Sequence, residues 1–563
     1  MRPSLLRNGV LAGFAMGSLA GVLLASPISS RAATLSFTIN PVGAYGGEPS
    51  ITSDAGGTLY EASLLAAAAF RSTNGGVSWT RGTTNAFGST GDDCLSTDQG
   101  LSVYLCNLTI TGVGATSVLQ ADAYKSVDQG NHWTHGAGLG GNTTCGTSCS
   151  PFGVDRDWID ATIPPGGTTS NAEVVLMYHD FYGPSHIWVN VSQDGGATFA
   201  TASDVLANLS PSAGAGDALA LADTACSTVP AGVKIAKGGP HPGRVFVAWI
   251  AADPSSFGTG CNLSQAQAFH NLFIAYTDPP ASGRIGAAPT WTPQLAFDAG
   301  ATHDSSTPFV GFDIDDQGNP YYGFANNLNW DPTCGAPLNP QTPNCEYDMY
   351  LVWSPDQGTT WRGSGTSSGL IPGSAGSPSK VNADVGTHWF PAIAAAGKGL
   401  VDVAYLETSD IIPTDPSGKQ HPGGCLAPGC TSTDQWFLWG AQASLVDSGG
   451  NPDPSPVWSR TQITPSPMHI GDICNLGIAC PPTANRNLAD FISETVDPTG
   501  CAHIAYADDN IANVVESANQ TAGCFSLNVT VPELAWPALF VPAGALAAVI
   551  IVVRRRRTVG TLA

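Results

Sequence analysis

One eight-residue segment occurs four times in this chain, with the same chemistry at the same places. The copies are Ser72-Thr73-Asn74-Gly75-Gly76-Val77-Ser78-Trp79, Ser126-Val127-Asp128-Gln129-Gly130-Asn131-His132-Trp133, Ser192-Gln193-Asp194-Gly195-Gly196-Ala197-Thr198-Phe199 and Ser354-Pro355-Asp356-Gln357-Gly358-Thr359-Thr360-Trp361. The shared pattern is Ser-x-Asp/Asn-x-Gly-x-(Ser/Thr/His)-aromatic. It reads as a hairpin turn: the Asp or Asn side chain accepts backbone N–H groups ahead of it. The glycine two places on takes a positive φ at no steric cost. The aromatic opens the returning strand and packs between sheets. Apolar strands lead into the turns, as in His186–Val191 and Met349–Trp353.

A second unit recurs between these turns: an apolar strand, a turn with Asp or Gly, then a strand ending in an aromatic. It covers Pro49–Asp54 to Tyr60, Phe309–Asp315 to Tyr322, Phe390–Ile393 to Tyr405, and Phe491–Asp497 to Tyr506. Weaker copies start near Leu95, Trp158 and Leu219, the last pairing with Arg244–Trp249. About seven such units, each followed by an outer hairpin, predict an all-β propeller of seven blades, with six as the alternative. The last unit has few strands after it, so Leu35–Ile39 is expected to complete it and close the ring. No long helical period is read outside the two ends.

The four copies resemble the Asp-box, or BNR repeat, of sialidases and related propellers, and the resemblance covers most of residues 35–525. It implies a propeller fold with the repeated turns on the rim, away from the central site. Family sialidases hold the substrate carboxylate with an arginine triad, and attack with a Tyr–Glu pair assisted by an Asp. Their first triad arginine precedes the first box. Here Gly46-Gly47-Glu48-Pro49 stands in that place, and no arginine occurs from Ala32 through Phe70. The resemblance thus implies the fold without the full catalytic motif.

Arg2 and Arg7 followed by an apolar stretch from Gly9 to Ala25 read as a secretory signal over residues 1–32. An apolar run over 532–553 precedes Arg554–Arg557, which reads as a transmembrane or sorting helix with a basic cytoplasmic tail at 554–563. The propeller is assigned to 33–528, on the outer face of the cell membrane. The 14 cysteines all lie between the two ends. In an exported chain they are expected as disulfides between neighbours: Cys94/Cys106, Cys145/Cys149, Cys226/Cys261, Cys334/Cys345, Cys425/Cys430, Cys474/Cys480 and Cys501/Cys524. Over 33–531, 14 Lys and Arg face 43 Asp and Glu, a net charge of −29. That sign excludes a nucleic-acid backbone as principal partner.

Ligands of a propeller meet the starts of its innermost strands. The polar residues expected there are Asp92, Asp93, Asp155-Arg156-Asp157-Trp158, Thr387-His388-Trp389, Arg486, Asp490 and Glu494. Arg156, Trp158, His388, Trp389 and Arg486 are the ligand-binding candidates, since a guanidinium fork suits a sugar carboxylate. The competing expectation pairs Arg156 with Asp155 or Asp157, and Arg486 with Asp490. Asp157, Asp490 and Glu494 are the candidates for acid or base work. No Cys or His spacing marks a metal site. Asp313–Gly318 departs from the calcium-loop pattern and reads as a strand turn, so no cofactor is expected; calcium on loop carboxylates elsewhere stays open, without support from spacing. Three functions fit: a surface module binding a glycan or protein, an exo-glycosidase with a divergent site, or a structural envelope component.

Overall fold

The computed structural model describes residues 34–527, except for longer gaps at 140–152, 253–268, 327–346, 363–377, 410–433 and 474–484 and several short ones. The signal segment, the C-terminal apolar run, its basic tail and the cysteines at 145, 149, 261, 334, 345, 425, 430, 474 and 480 lie outside the described residues. Among the described residues no helix is long and apolar enough to cross a membrane.

The chain folds into seven antiparallel sheets, the blades of a propeller. Blade 1 holds Ser50–Ser53, Leu59–Ala62, Phe70–Ser72 and Thr80–Arg81. Blade 2 holds Cys94–Thr97, Val103–Thr111, Val118–Ser126 and Thr134–His135, and blade 3 Val154–Thr162, Glu173–Asp180, Ile187–Ser192 and Ser203–Asp204. Blade 4 holds Thr228–Ile235, Val245–Ala252, Phe269–Thr277 and Thr292–Asp298, and blade 5 Gly311–Ile314, Pro320–Asn326, Asp348–Trp353 and Ser379–Lys380. Blade 6 holds Thr387–Ala395, Leu400–Thr408, Gln435–Ser444 and Ser459–Gln462, with His469–Ile470 added to its third strand. Blade 7 holds Ser493–Val496, Ala502–Asp508 and Val514–Ala522, and its outermost strand is the N-terminal Ser36–Tyr45. Ser36 pairs with Ala522 and Tyr45 with Val514, so the ring is closed as the sequence predicts.

Both faces of each blade pack on a neighbour, which explains why the middle strands are apolar throughout. Val245 through Ala251 are all 0% exposed. Between blades 5 and 6, Met349 and Leu351 join Val401, Val403 and Tyr405 in one core.

The four repeated segments form one turn. Each serine Oγ accepts the N–H of the glycine four residues on, at 2.7–2.9 Å. The same hydroxyl donates to the Asn or Asp Oδ1, at 2.8–2.9 Å. That Oδ1 accepts the N–H four residues further along, at 2.7–3.0 Å. At Gly76 the turn needs both a positive φ of 81° and bare space, since a Cβ would fall 2.0 Å from Asn519 Oδ1 in blade 7. The aromatics then bridge blades: Trp79 Nε1 donates to Ser517 of blade 7, and Trp361 Nε1 to Gln294 of blade 4.

The turn between first and second strands is equally regular. Asp54, Asp98, Asp315 and Asp497 each accept backbone N–H groups two and four residues on. In the first three the other oxygen takes the hydroxyl of Tyr60, Tyr104 or Tyr321. Asp315→Ala removes these partners from a buried turn. It is expected to cost about 2–3 kcal/mol in a denaturant titration, against less than about 0.5 kcal/mol for an exposed control such as Thr359→Ala.

One expectation is corrected. Leu219 does not open a strand: Ala215–Cys226 is an α-helix between blades 3 and 4, and the first strand of blade 4 is Thr228–Ile235. The helix is 12 residues long, a short element in a chain where no long helical period is read outside the two ends. Its alternating apolar residues imitate a strand, but the Ala- and Leu-rich composition favours helix. Thr224 Oγ1 accepts the Trp249 indole N–H and Asp223 the Asn271 amide, fastening it to blade 4. Disulfides join Cys94 to Cys106 and Cys501 to Cys524, as expected. Cys226 is also disulfide-bonded.

Candidate functional site

The innermost strands line a central channel, and their starts carry an unusual backbone. Glu48, Asp92, Arg156, Phe390 and Ala489 all have φ between 52° and 55° at or just before these strands. In blades 3 and 6 the register slips there, between Asp155 and Trp158 and between Trp389 and Ala392. Such bulges re-aim side chains.

Arg156 forms the hub of this end. Its Nη2 lies 2.8 Å from Asp490 Oδ2 and 3.3 Å from Glu48 Oε1, and its Nη1 lies 3.5 Å from Asp92 Oδ1. The guanidinium stacks over the rings of Phe309, at 3.9 Å, and Phe491, at 5.1 Å. One side chain 6% exposed therefore ties blade 3 to blades 1, 2, 5 and 7. Arg486 clamps the same Asp490 with two bonds, of 2.6 and 3.0 Å.

The sequence candidates therefore divide. The Arg486–Asp490 pair forms as the competing expectation has it, while Arg156 takes Asp490, Glu48 and Asp92 as partners. Arg156, a ligand-binding candidate, is ringed by carboxylates of its own chain, with its Nη1 buried and without a hydrogen-bond partner. Trp389 is 0% exposed and packs on Phe390 and Trp436, so it belongs to the core. Trp158 is half-buried, packs on Phe491 and lines the channel. His388 stands in blade 6 between Asp384 and Glu407.

The three acid–base candidates are not brought into one group. Asp490 is held by the two arginines. Asp157 is 2% exposed with neither oxygen hydrogen-bonded; burial, then Asp92, raises it well above the usual carboxylate range. Asp93 is raised likewise, by burial and then Glu61. Asp155 is pushed up to about 7 by burial and the charge of Asp92. Glu494 lies further along the channel, raised by burial and then by Asp402.

Beyond the hub the channel is a cavity of about 890 Å³, running from Trp158, Phe309 and Phe491 to the first turns at Asp54–Ala55, Asp315–Gln317 and Pro498. Its walls carry Asp160, Lys234, Asp313 and Glu494. Inner strands present unpaired backbone to the channel, and side chains of adjacent blades satisfy it. Asp160 Oδ2 accepts Ile235 N–H at 2.7 Å, Asp313 Oδ2 accepts Ala395 N–H at 2.8 Å, and Ser493 Oγ accepts Ile51 N–H at 3.2 Å. Lys234 Nζ holds the other Asp313 oxygen at 2.8 Å. The Trp158 indole N–H and one Glu494 oxygen are buried without a hydrogen-bond partner. An aromatic end wall with donors and acceptors along the sides can stack a sugar ring and hydrogen-bond its hydroxyls. These cavity residues escaped the sequence reading except for Trp158 and Glu494. Every-other-residue polarity along the inner strands is the signal that could have found them.

No family model and no curated protein matches the chain. Among solved structures it is similar to an α-L-arabinofuranosidase from Fusarium graminearum, seen with an iminosugar inhibitor, at 12% identity, covering 77% of this chain and 98% of that one, with a TM-score of 0.36. It is similar to a polysaccharide lyase, an ulvan lyase, at 11% identity over 86% and 94%, with a TM-score of 0.37. It is also similar to the leech intramolecular trans-sialidase seen with 2,7-anhydro-Neu5Ac, at 11% identity over 86% and 68%, with a TM-score of 0.33. Likenesses this distant decide nothing about the ligand of this chain.

Proposed function

We propose that this protein is an exported, membrane-tethered propeller that binds a neutral glycan in its central channel without transforming it. The observation that carries the reading is the cavity of about 890 Å³ with Trp158, Phe309 and Phe491 at one end and hydrogen-bonding side chains along its walls. Its volume suits a short oligosaccharide. The commitment of Arg156 to Glu48, Asp92 and Asp490 speaks against an acidic sugar at the hub. The export signal, the apolar run over 532–553 and the four arginines after it support tethering. Ser526 and Leu527 line the cavity at its turn end, and only residues 528–531 separate them from that run. The opening would then face the cell's own envelope, which makes an envelope glycan the natural ligand.

The raised carboxyl of Glu494 motivates a second reading, hydrolysis with Glu494 as the acid. Both are tested together. The purified protein is applied to a glycan array and incubated with sialosides and neutral glycosides, beside Trp158→Ala and Glu494→Gln variants. Binding without sugar release, weakened roughly tenfold or more by Trp158→Ala, is the expected result. Release lost in Glu494→Gln would replace binding by hydrolysis. Folded protein that neither binds nor cleaves any glycan would overturn both.

A further inference from the structure

His135 and His503 each meet one aspartate through Nε2, at 3.0 and 3.3 Å, whereas His388 sets Nε2 between two carboxylates. His186, His270 and His469 each meet an aspartate through Nδ1 at 2.8 Å. His388 instead directs Nδ1 to the Tyr347 carbonyl oxygen, at 2.9 Å. A carbonyl can only accept, so Nδ1 carries a proton and Nε2 is the atom turned to the carboxylates; a cation binding there would displace the Nε2 proton. Nε2 lies 3.3 Å from Asp384 Oδ1 and 3.5 Å from Glu407 Oε2.

Both separations exceed the ~2.7–2.9 Å of a charge-assisted hydrogen bond. They agree with the roughly 3.4 Å between donor atoms around a tetrahedral ion with bonds of ~2.1 Å. All three atoms lie within 4.8 Å of one another. Glu407 is 8% exposed, and its Oε2 has no hydrogen-bond partner. The Tyr405 hydroxyl, on the same strand, is buried without one as well. Strand pairing fixes the arrangement, because His388 and Glu407 are direct cross-strand partners in blade 6.

We propose that Asp384 Oδ1, His388 Nε2 and Glu407 Oε2 bind a first-row divalent cation, with zinc the best match. One imidazole nitrogen and two carboxylate oxygens suit zinc, whereas calcium takes six to eight oxygens. The Nδ1–carbonyl bond is the outer support that orients a ligating histidine. The Asp384 side chain is 40% exposed, so the cation's remaining position faces solvent and can take water or a ligand oxygen. The sequence hides this site because Glu407 joins Asp384 and His388 only through the pairing of two strands.

The test is a calorimetric titration of chelator-treated protein with zinc chloride, beside Asp384→Asn, Glu407→Gln and His388→Ala variants, with calcium chloride as control. The expected result is one saturable zinc site that Asp384→Asn weakens at least ~10-fold. Cobalt(II) in the same site should show the intense visible bands of tetrahedral coordination. Asp384 is partly exposed, so its variant should keep the wild-type unfolding midpoint even where His388→Ala does not. Wild-type protein that takes up no zinc, or an Asp384→Asn variant that binds as tightly as wild type, would overturn the assignment, as would calcium binding without zinc.

Discussion

Replacing Arg156 by alanine is expected to remove about 3–5 kcal/mol of folding stability at neutral pH. The guanidinium is the shared partner of buried Glu48 and Asp490 and of half-buried Asp92, and its ring contacts reach Phe309 and Phe491. Alanine would leave Glu48 and Asp92 without it, and Asp490 with Arg486 alone. Arg156→Lys keeps the charge but cannot span three carboxylates or stack, so an intermediate loss is expected. The deficit should shrink as pH falls toward 4 and the stranded carboxylates take up protons. Denaturant titrations at pH 7 and pH 4.5 read both effects. A variant within 1 kcal/mol of wild type at pH 7 would show that the ring does not depend on this hub.

The second large effect is a loss of stability between pH 5 and pH 8. Glu61 is 0% exposed, and burial pushes it up to about 8. Burial also pushes Asp155, Glu173 and Glu516 up to about 7. Above the unfolded carboxyl range of about 4, the folded chain keeps protons that the unfolded chain releases. Stability therefore falls as pH rises through the folded values. Asp128 and Asp497 are held down at about 2 despite desolvation, chiefly by hydrogen bonds from His132 and His503 respectively. Their contribution is present above pH 4 and lost as pH falls toward 2. The unfolding midpoint should thus peak near pH 5. Glu61→Gln, which fixes the neutral form, should gain about 1–3 kcal/mol at pH 8 and little at pH 5. A pH-independent gain, or a loss at pH 8, would contradict the assignment of a buried neutral Glu61.

The fold was legible in the sequence because its turns are local. Ser354, Asp356 and Gly358 satisfy one another within a few residues, and so do Asp315 and Tyr321. The hub was not legible, because its partners are remote: Arg156 meets Glu48 across 108 residues and Asp490 across 334. Sequence proximity favoured Asp155 and Asp157, yet neighbours along a strand point to opposite faces. Asp157 is buried with neither oxygen hydrogen-bonded. His388 was found as a polar residue at a strand start, while the carboxylate opposite it depended on register.

The closing strand has a consequence for how the chain is made. Ser36–Tyr45 is synthesised well before its partner Val514–Ala522, from which most of the propeller separates it in the chain. Throughout synthesis that segment is a nascent edge with open N–H and C=O groups, free to recruit another copy's strand. Pro41 interrupts it with a missing donor, and Gly43 breaks its extended run with a φ of 94°. Both residues are tolerable in the finished ring, where the strand is outermost and pairs on one side only. They blunt a template for intermolecular pairing during the interval before the circle can close.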